Sequence, residues 1–140
     1  MLFSTSCLSE INYDLYLGAF SRHIPDTYTK DGSDHTYVSN HTLVGLRNRN
    51  TEWMFAVFVN SYGDPSIMYG KMYKWNELNP YISPQFFIGG AYGYGTQLPN
   101  VGGVAPYTMV GFDIHPKNNR YGLTFNTVGS VHTVGFRLAY

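Results

Sequence analysis

The chain has 140 residues, in which 9 Lys and Arg balance 9 Asp and Glu, and it carries a single cysteine. That length fits one domain with no second core. One cysteine excludes an internal disulfide framework and a Cys-rich metal site, and a formal charge of zero gives no electrostatic footprint for nucleic acid. Charged residues are only 13% of the chain and aromatics 17%, against about 25% charged in soluble domains. The composition therefore asks where a Tyr- and Gly-rich, charge-poor surface goes.

Residues 1–10 lack both the basic stretch and the long apolar run of a complete secretory signal. We read 1–11 as a leader segment, either a remnant of a signal or a short amphipathic helix. Beyond it, alternation of period two replaces helical periodicity, bounded by Gly, Pro, Asn and Asp. Eight segments show it, at 12–23, 37–48, 52–62, 66–75, 84–94, 107–115, 120–128 and 131–140. In the third, Trp53, Phe55, Val57 and Val59 share one face, with Glu52, Met54, Ala56, Phe58 and Asn60 opposite. In the seventh, Tyr121, Leu123, Phe125 and Thr127 alternate with Arg120, Gly122, Thr124 and Asn126. In the last, His132, Val134, Phe136, Leu138 and Tyr140 alternate with Thr133, Gly135, Arg137 and Ala139.

Short turns at Asn48-Arg49-Asn50, Gly63-Asp64-Pro65, Lys117-Asn118-Asn119 and Val128-Gly129-Ser130 separate these segments, with longer connections at 24–36 and 95–106. Asn favours such loops because it tolerates positive φ. Consecutive short turns imply an antiparallel up-and-down order, and the chain reads as one domain over 1–140. The longest wholly apolar run, 54–59, is six residues, far short of the roughly 20 that a membrane-spanning helix needs.

Eight such strands close into a barrel or stack as a sandwich. Three features favour an outer-membrane barrel. Segments of about 10 residues match the 9–11 that cross a bilayer when tilted. Aromatics fall toward the strand ends (Trp53, Trp75, Tyr107, Tyr121 and Tyr140), as two interfacial girdles require. Charges gather in connections, at Asp26, Lys30, Asp31, Asp34, Lys74, Glu77, Lys117 and Arg120. The competing reading is a soluble barrel or sandwich with the same alternation.

Three blocks carry a resemblance. Tyr13-Asp14-Leu15-Tyr16-Leu17-Gly18-Ala19-Phe20-Ser21-Arg22-His23 resembles the first strand of the lipid A palmitoyltransferase (PagP) family, including the spacing from Tyr-Asp-Leu-Tyr to the histidine. Ala56-Val57-Phe58-Val59-Asn60-Ser61-Tyr62 resembles the family's segment ending in an acidic residue followed by serine. Gly135-Phe136-Arg137-Leu138-Ala139-Tyr140 is similar to the C-terminal signal of Gram-negative outer-membrane barrels. The resemblance runs over roughly 10–140 in strand order, is sharp only in these blocks, and is loose over 76–106.

It implies an all-β, eight-stranded antiparallel up-and-down barrel, monomeric, in a Gram-negative outer membrane and encoded by the bacterium or by a phage. The implied activity moves a palmitoyl chain from a glycerophospholipid to lipid A with no cofactor and no metal. The implied site is His23 as base and Ser61, with Asn60 at the family's aspartate position. An imidazole with an ordinary pKa of about 6.5 suits a base. Asn60 can orient it by a hydrogen bond but cannot stabilise an imidazolium by charge; Asp64 in the adjacent turn is the substitute.

Among the remaining residues, His35 and His41 fit no zinc spacing, and His115 and His132 read as strand-end residues. The run from Gly89 to Gly95 reads as strand packing, and the sequon Asn40-His41-Thr42 falls inside a strand. Arg22 and Arg137 face either the lumen or the rim, where they would bind a lipid A phosphate. The alternative functions are a non-catalytic barrel for adhesion, receptor masking or a virion surface, and a soluble lipocalin-like carrier. An acyl pocket requires an apolar lumen, whereas a plugged barrel fills with Arg, Glu and Tyr networks.

Overall fold

The computed structural model describes residues 12–76 and 78–140; the leader segment 1–11 and Glu77 lie outside the described residues. In chain order the strands are β1 (Tyr13–His23), β2 (Thr27–Lys30), β3 (Ser33–Thr36), β4 (Asn40–Asn48) and β5 (Trp53–Val59). They continue as β6 (Pro65–Lys74), β7 (Ile82–Tyr92), β8 (Val104–Ile114), β9 (Tyr121–Val128) and β10 (Val131–Ala139). Eight of them close into a barrel, in the order β1-β10-β9-β8-β7-β6-β5-β4, all antiparallel. The first and last strands meet, and Tyr13 and Tyr140 exchange backbone hydrogen bonds of 3.3 and 2.9 Å at their junction.

β2 and β3 form a separate hairpin inside the first long connection. Alternation misses it because both strands are short and mostly exposed. The turn chemistry was nevertheless present: Asp31 and Gly32 have φ of 52° and 77°, the pair of positive angles that an Asp-Gly hairpin turn uses.

The alternation sorts outside from inside as expected. Trp53, Phe55, Val57, Leu123, Val134 and Phe136 face outward and exposed, while Met54 and Ala56 are buried. A belt of exposed apolar side chains around a closed ladder satisfies hydrocarbon, since every strand has a neighbour for its polar backbone. Near the chain termini the belt ends in aromatics, with Trp53 stacked on Tyr69 at 4.7 Å and Trp75, Tyr121 and Tyr140 exposed. Tyr107 departs from the girdle. It packs on Phe58, Phe87 and Tyr94 within the lumen, because it sits on the inward parity shared by Ala105 and Met109.

The lumen has two layers. Near the termini, Asp14, Arg47, Glu52, Lys74, Asp113 and Arg137 form one ionic cluster. Arg47 donates to Asp14 at 2.8 Å, and Arg137 donates to Asp113 at 2.8 Å and to Asp14 at 3.2 Å. Lys74 reaches Asp113 at 2.5 Å. The part-exposed Arg49 also approaches Asp14, at 3.9 Å, and every buried charge of the cluster is paired, as burial demands. Lys74 therefore corrects the sequence reading, since it ends β6 and points inward instead of lying in a connection, and Arg137 takes the lumen of its two expected positions. Gly122 makes room for the cluster, since a Cβ there would lie 2.1 Å from an Asp113 carboxylate oxygen. Above this layer the inward side chains turn apolar, with Met54, Met68, Met72 and Phe87 buried.

An arginine placed in the belt tests which side faces lipid. Val57→Arg, at mid-strand, is expected to cost about 2–4 kcal/mol of folding free energy in phospholipid vesicles, and Val104→Arg near the edge about 0–1. Urea unfolding that showed equal costs at the two positions would contradict the assignment.

Candidate functional site

The connections at 24–39, 60–64, 93–103 and 129–130 gather at the end opposite the chain termini. Longer loops mark the extracellular end of outer-membrane barrels, so this end is the mouth. A cavity of about 360 Å³ opens there and descends onto Met54, Met68 and Met72. Its lining is mainly apolar and aromatic, with His23, His41, Asn60 and Ser61 near the mouth and Tyr16, Thr124 and Asn126 deeper.

A bulge aims His23 inward. Asp14 and Tyr16 on β1 face the lumen, and strict alternation would send Phe20 inward and His23 out. The register shifts between Gly18 and Phe20, so Phe20 is 63% exposed while Ser21 and His23 are buried. The extra residue of a bulge re-aims the side chains beyond it. His23 then stacks on Tyr37, with ring centroids 3.7 Å apart and planes 9° from parallel. Its Nε2 is buried without a hydrogen-bond partner among the described residues.

Ser61 comes directly after Asn60 at the end of β5 and lines the same cavity, and its carbonyl accepts from the Val38 amide at 2.9 Å. The barrel thus places His23 and Ser61 on one cavity at one mouth, although no hydrogen bond joins them among the described residues. Asn60 has a different task from the one its position suggested. Its amide donates to Ser66 Oγ and to the Gly93 carbonyl, both at 3.0 Å, and its oxygen accepts from the amides of Tyr62 and Asp64 at 2.9 and 3.1 Å. The last two bonds build the turn that carries Ser61, the first two tie it to β6 and to the connection after β7, and none reaches the imidazole. Asp64 is exposed, so it does not replace the acid either. Arg22, at the mouth, is exposed as well.

Sequence reasoning missed the aromatic collar. Tyr28, Tyr37 and Tyr62 pack together, and Tyr62 continues edge-on to Tyr94. Burial, with Tyr37 beside it, pushes the Tyr62 phenol up to about 12. Burial and Tyr107 raise Tyr94 as well. Both stay protonated hydroxyls at ordinary pH. His41 was also missed as a site residue. It shares the inward parity of Gly45 and Arg47 on β4, which was legible from alternation alone.

The wall of the cavity is incomplete on one side. The β8–β9 ladder runs from Ile114↔Leu123 to Val110↔Thr127, while β8 continues upward to Val104. Along 104–109 the side toward β9 has no ladder, and Pro106, which lacks an N–H, sits there. The cavity lining accordingly takes in outward-facing Pro106 and Thr108 together with Gly129, Ser130 and Val131.

No protein-family model matches the chain, and no curated protein matches it. Among solved structures, it is similar to the Yersinia pestis outer membrane protein Ail, determined in a phospholipid bilayer nanodisc. The superposition covers 94% of this chain and 100% of that one, with a TM-score of 0.52 and 12% identity. The fold is that of an outer-membrane barrel. At that identity the likeness extends to the fold alone.

The role of Asn60 is testable by Asn60→Asp. The exchange removes both donors and sets a buried carboxylate against the Gly93 carbonyl. We expect a loss of about 1–3 kcal/mol in unfolding free energy; a variant as stable as the wild type would contradict the tie to Ser66 and Gly93.

Proposed function

We propose that the protein is an outer-membrane acyltransferase that holds one fatty acyl chain in its upper lumen and passes it to a hydroxyl at the mouth. The observation that carries this reading is the shape of the lumen. An apolar chamber of about 360 Å³ ends on a charged floor and opens among imidazoles and hydroxyls. Such a volume lies in the usual range for small-ligand sites, which is about 300–1,000 Å³. A hydrocarbon tail finds there a mainly apolar lining like the bilayer it leaves and meets no charge above the paired floor. The ester then rests near His23 and Ser61. The interrupted β8–β9 ladder supports entry of the tail from the bilayer, through a side where no strand pairing has to break.

The PagP resemblance of the first strand supplies the substrate classes: a glycerophospholipid as donor and lipid A as acceptor. In this reading an imidazole at the mouth handles the proton of the accepting hydroxyl, His23 being the one that the PagP resemblance implies, and Ser61 with the neutral collar phenols donates toward the developing oxyanion. The second reading is a non-catalytic barrel on the same scaffold. One observation favours it: among the described residues no carboxylate reaches His23.

Mass spectrometry of lipid A from cells expressing the wild type, His23→Ala and Ser61→Ala separates the two. The wild type is expected to add one acyl chain. His23→Ala should lower the yield by about 100-fold or more, as loss of a proton-transferring group does. Unmodified lipid A alongside folded wild-type protein in the outer membrane would favour the non-catalytic barrel.

A further inference from the structure

His41 occupies the cavity beside the expected site, and neither its zinc spacing nor the family pattern gives it a task. Its Nδ1 meets the carbonyl oxygen of Val59 on the neighbouring strand β5. A carbonyl oxygen only accepts, so in the neutral ring the proton stays on Nδ1 and Nε2 carries the lone pair. That Nε2 is buried, has no partner among the described residues and belongs to a side chain lining the cavity. A base whose second nitrogen is held by a fixed acceptor is the arrangement that sets tautomer and ring orientation in catalytic histidines. His23 has the stack on Tyr37 but no comparable acceptor among the described residues. Asn60, the residue expected to orient an imidazole, is spent on its turn.

We propose that His41, whose tautomer Val59 fixes, is the general base of this site in place of His23, which keeps a hydrogen-bonding role. The assignment rests on the acyl-transfer reading. As the acceptor hydroxyl oxygen attacks the ester carbonyl carbon, its proton passes to His41 Nε2 and the carbonyl electron pair moves onto oxygen. Collapse of that oxyanion breaks the bond to the donor alcohol, and the departing alkoxide takes the proton back from His41. Donor ester and acceptor alcohol become product ester and donor alcohol, and the imidazole returns to its starting state. His23, whose Nε2 faces the same cavity, is then free to hydrogen-bond the ester oxygen as a neutral ring.

His41→Asn isolates the claim, because an asparagine amide still donates to the Val59 carbonyl but offers no basic nitrogen. Purified full-length protein in detergent micelles, with phospholipid as donor and lipid A as acceptor, gives the rate. Folding is followed by circular dichroism. The variant is expected to fold as the wild type does and to transfer about 100-fold more slowly; a folded variant that loses less than tenfold overturns the role. Should His41→Asn fail to fold, nitrogen-15 spectra of histidine-labelled wild type decide. A bare Nε2 at His41 supports the assignment, and an Nε2–H overturns it. A folded wild type that transfers nothing overturns the acyl-transfer reading itself, which is a different result from an active wild type matched by its His41→Asn variant.

Discussion

The constraint on which the structure depends is that a sheet in hydrocarbon cannot have a free edge. Each unpaired backbone N–H or C=O there costs several kcal/mol, so β1 must find β10, and 140 residues must bend into a closed ring of eight strands. Closure produces the outward belt, the meeting of the first and last strands and a narrow lumen that side chains have to fill. The same constraint gives meaning to the place where it is relaxed. The upper part of β8 runs on without a β9 partner only close to the mouth, and there a proline replaces one of the donors.

The lumen resolves the choice between a pocket and a plug by containing both. At the lower end of the lumen, Asp14, Glu52 and Asp113 face Arg47, Lys74 and Arg137 in a mutually paired layer. A layer of this kind gives little net stability, but removing one member strands the others at a cost of about 3–5 kcal/mol. It therefore holds its shape and ends the chamber above it. The methionines on its upper side are flexible and polarisable, suited to the contour of an alkyl chain. The collar of tyrosines at the top lines the mouth with packed aromatic rings.

Most of the barrel was legible because period-two alternation is strict wherever one face meets lipid. Trp53 to Val57 and Val134 to Phe136 announced their faces residue by residue. Tyr107 and Lys74 were misread for one reason: residue type was allowed to outweigh parity, although both lie on the inward register of their strands. The bulge in β1 has no clear signal in the sequence, since Gly18 reads equally well as a narrow-wall residue. It nevertheless decides that His23 faces the lumen. Two of the four hydrogen bonds of Asn60, to Ser66 and Gly93, are set by the pairing of β5, β6 and β7 and were invisible along the chain, whereas the two from the Tyr62 and Asp64 amides are local to the turn. His41 is the opposite case. Its inward parity was readable, and attention to zinc spacing hid it.

The central claim is that the upper lumen is a dry apolar chamber occupied by lipid hydrocarbon. Nuclear Overhauser contacts from the ε-methyl groups of Met54, Met68 and Met72, measured in phospholipid nanodiscs, test it most directly. Cross-peaks from these methyls to acyl-chain methylenes are the expected result. Cross-peaks to water alone would contradict the account.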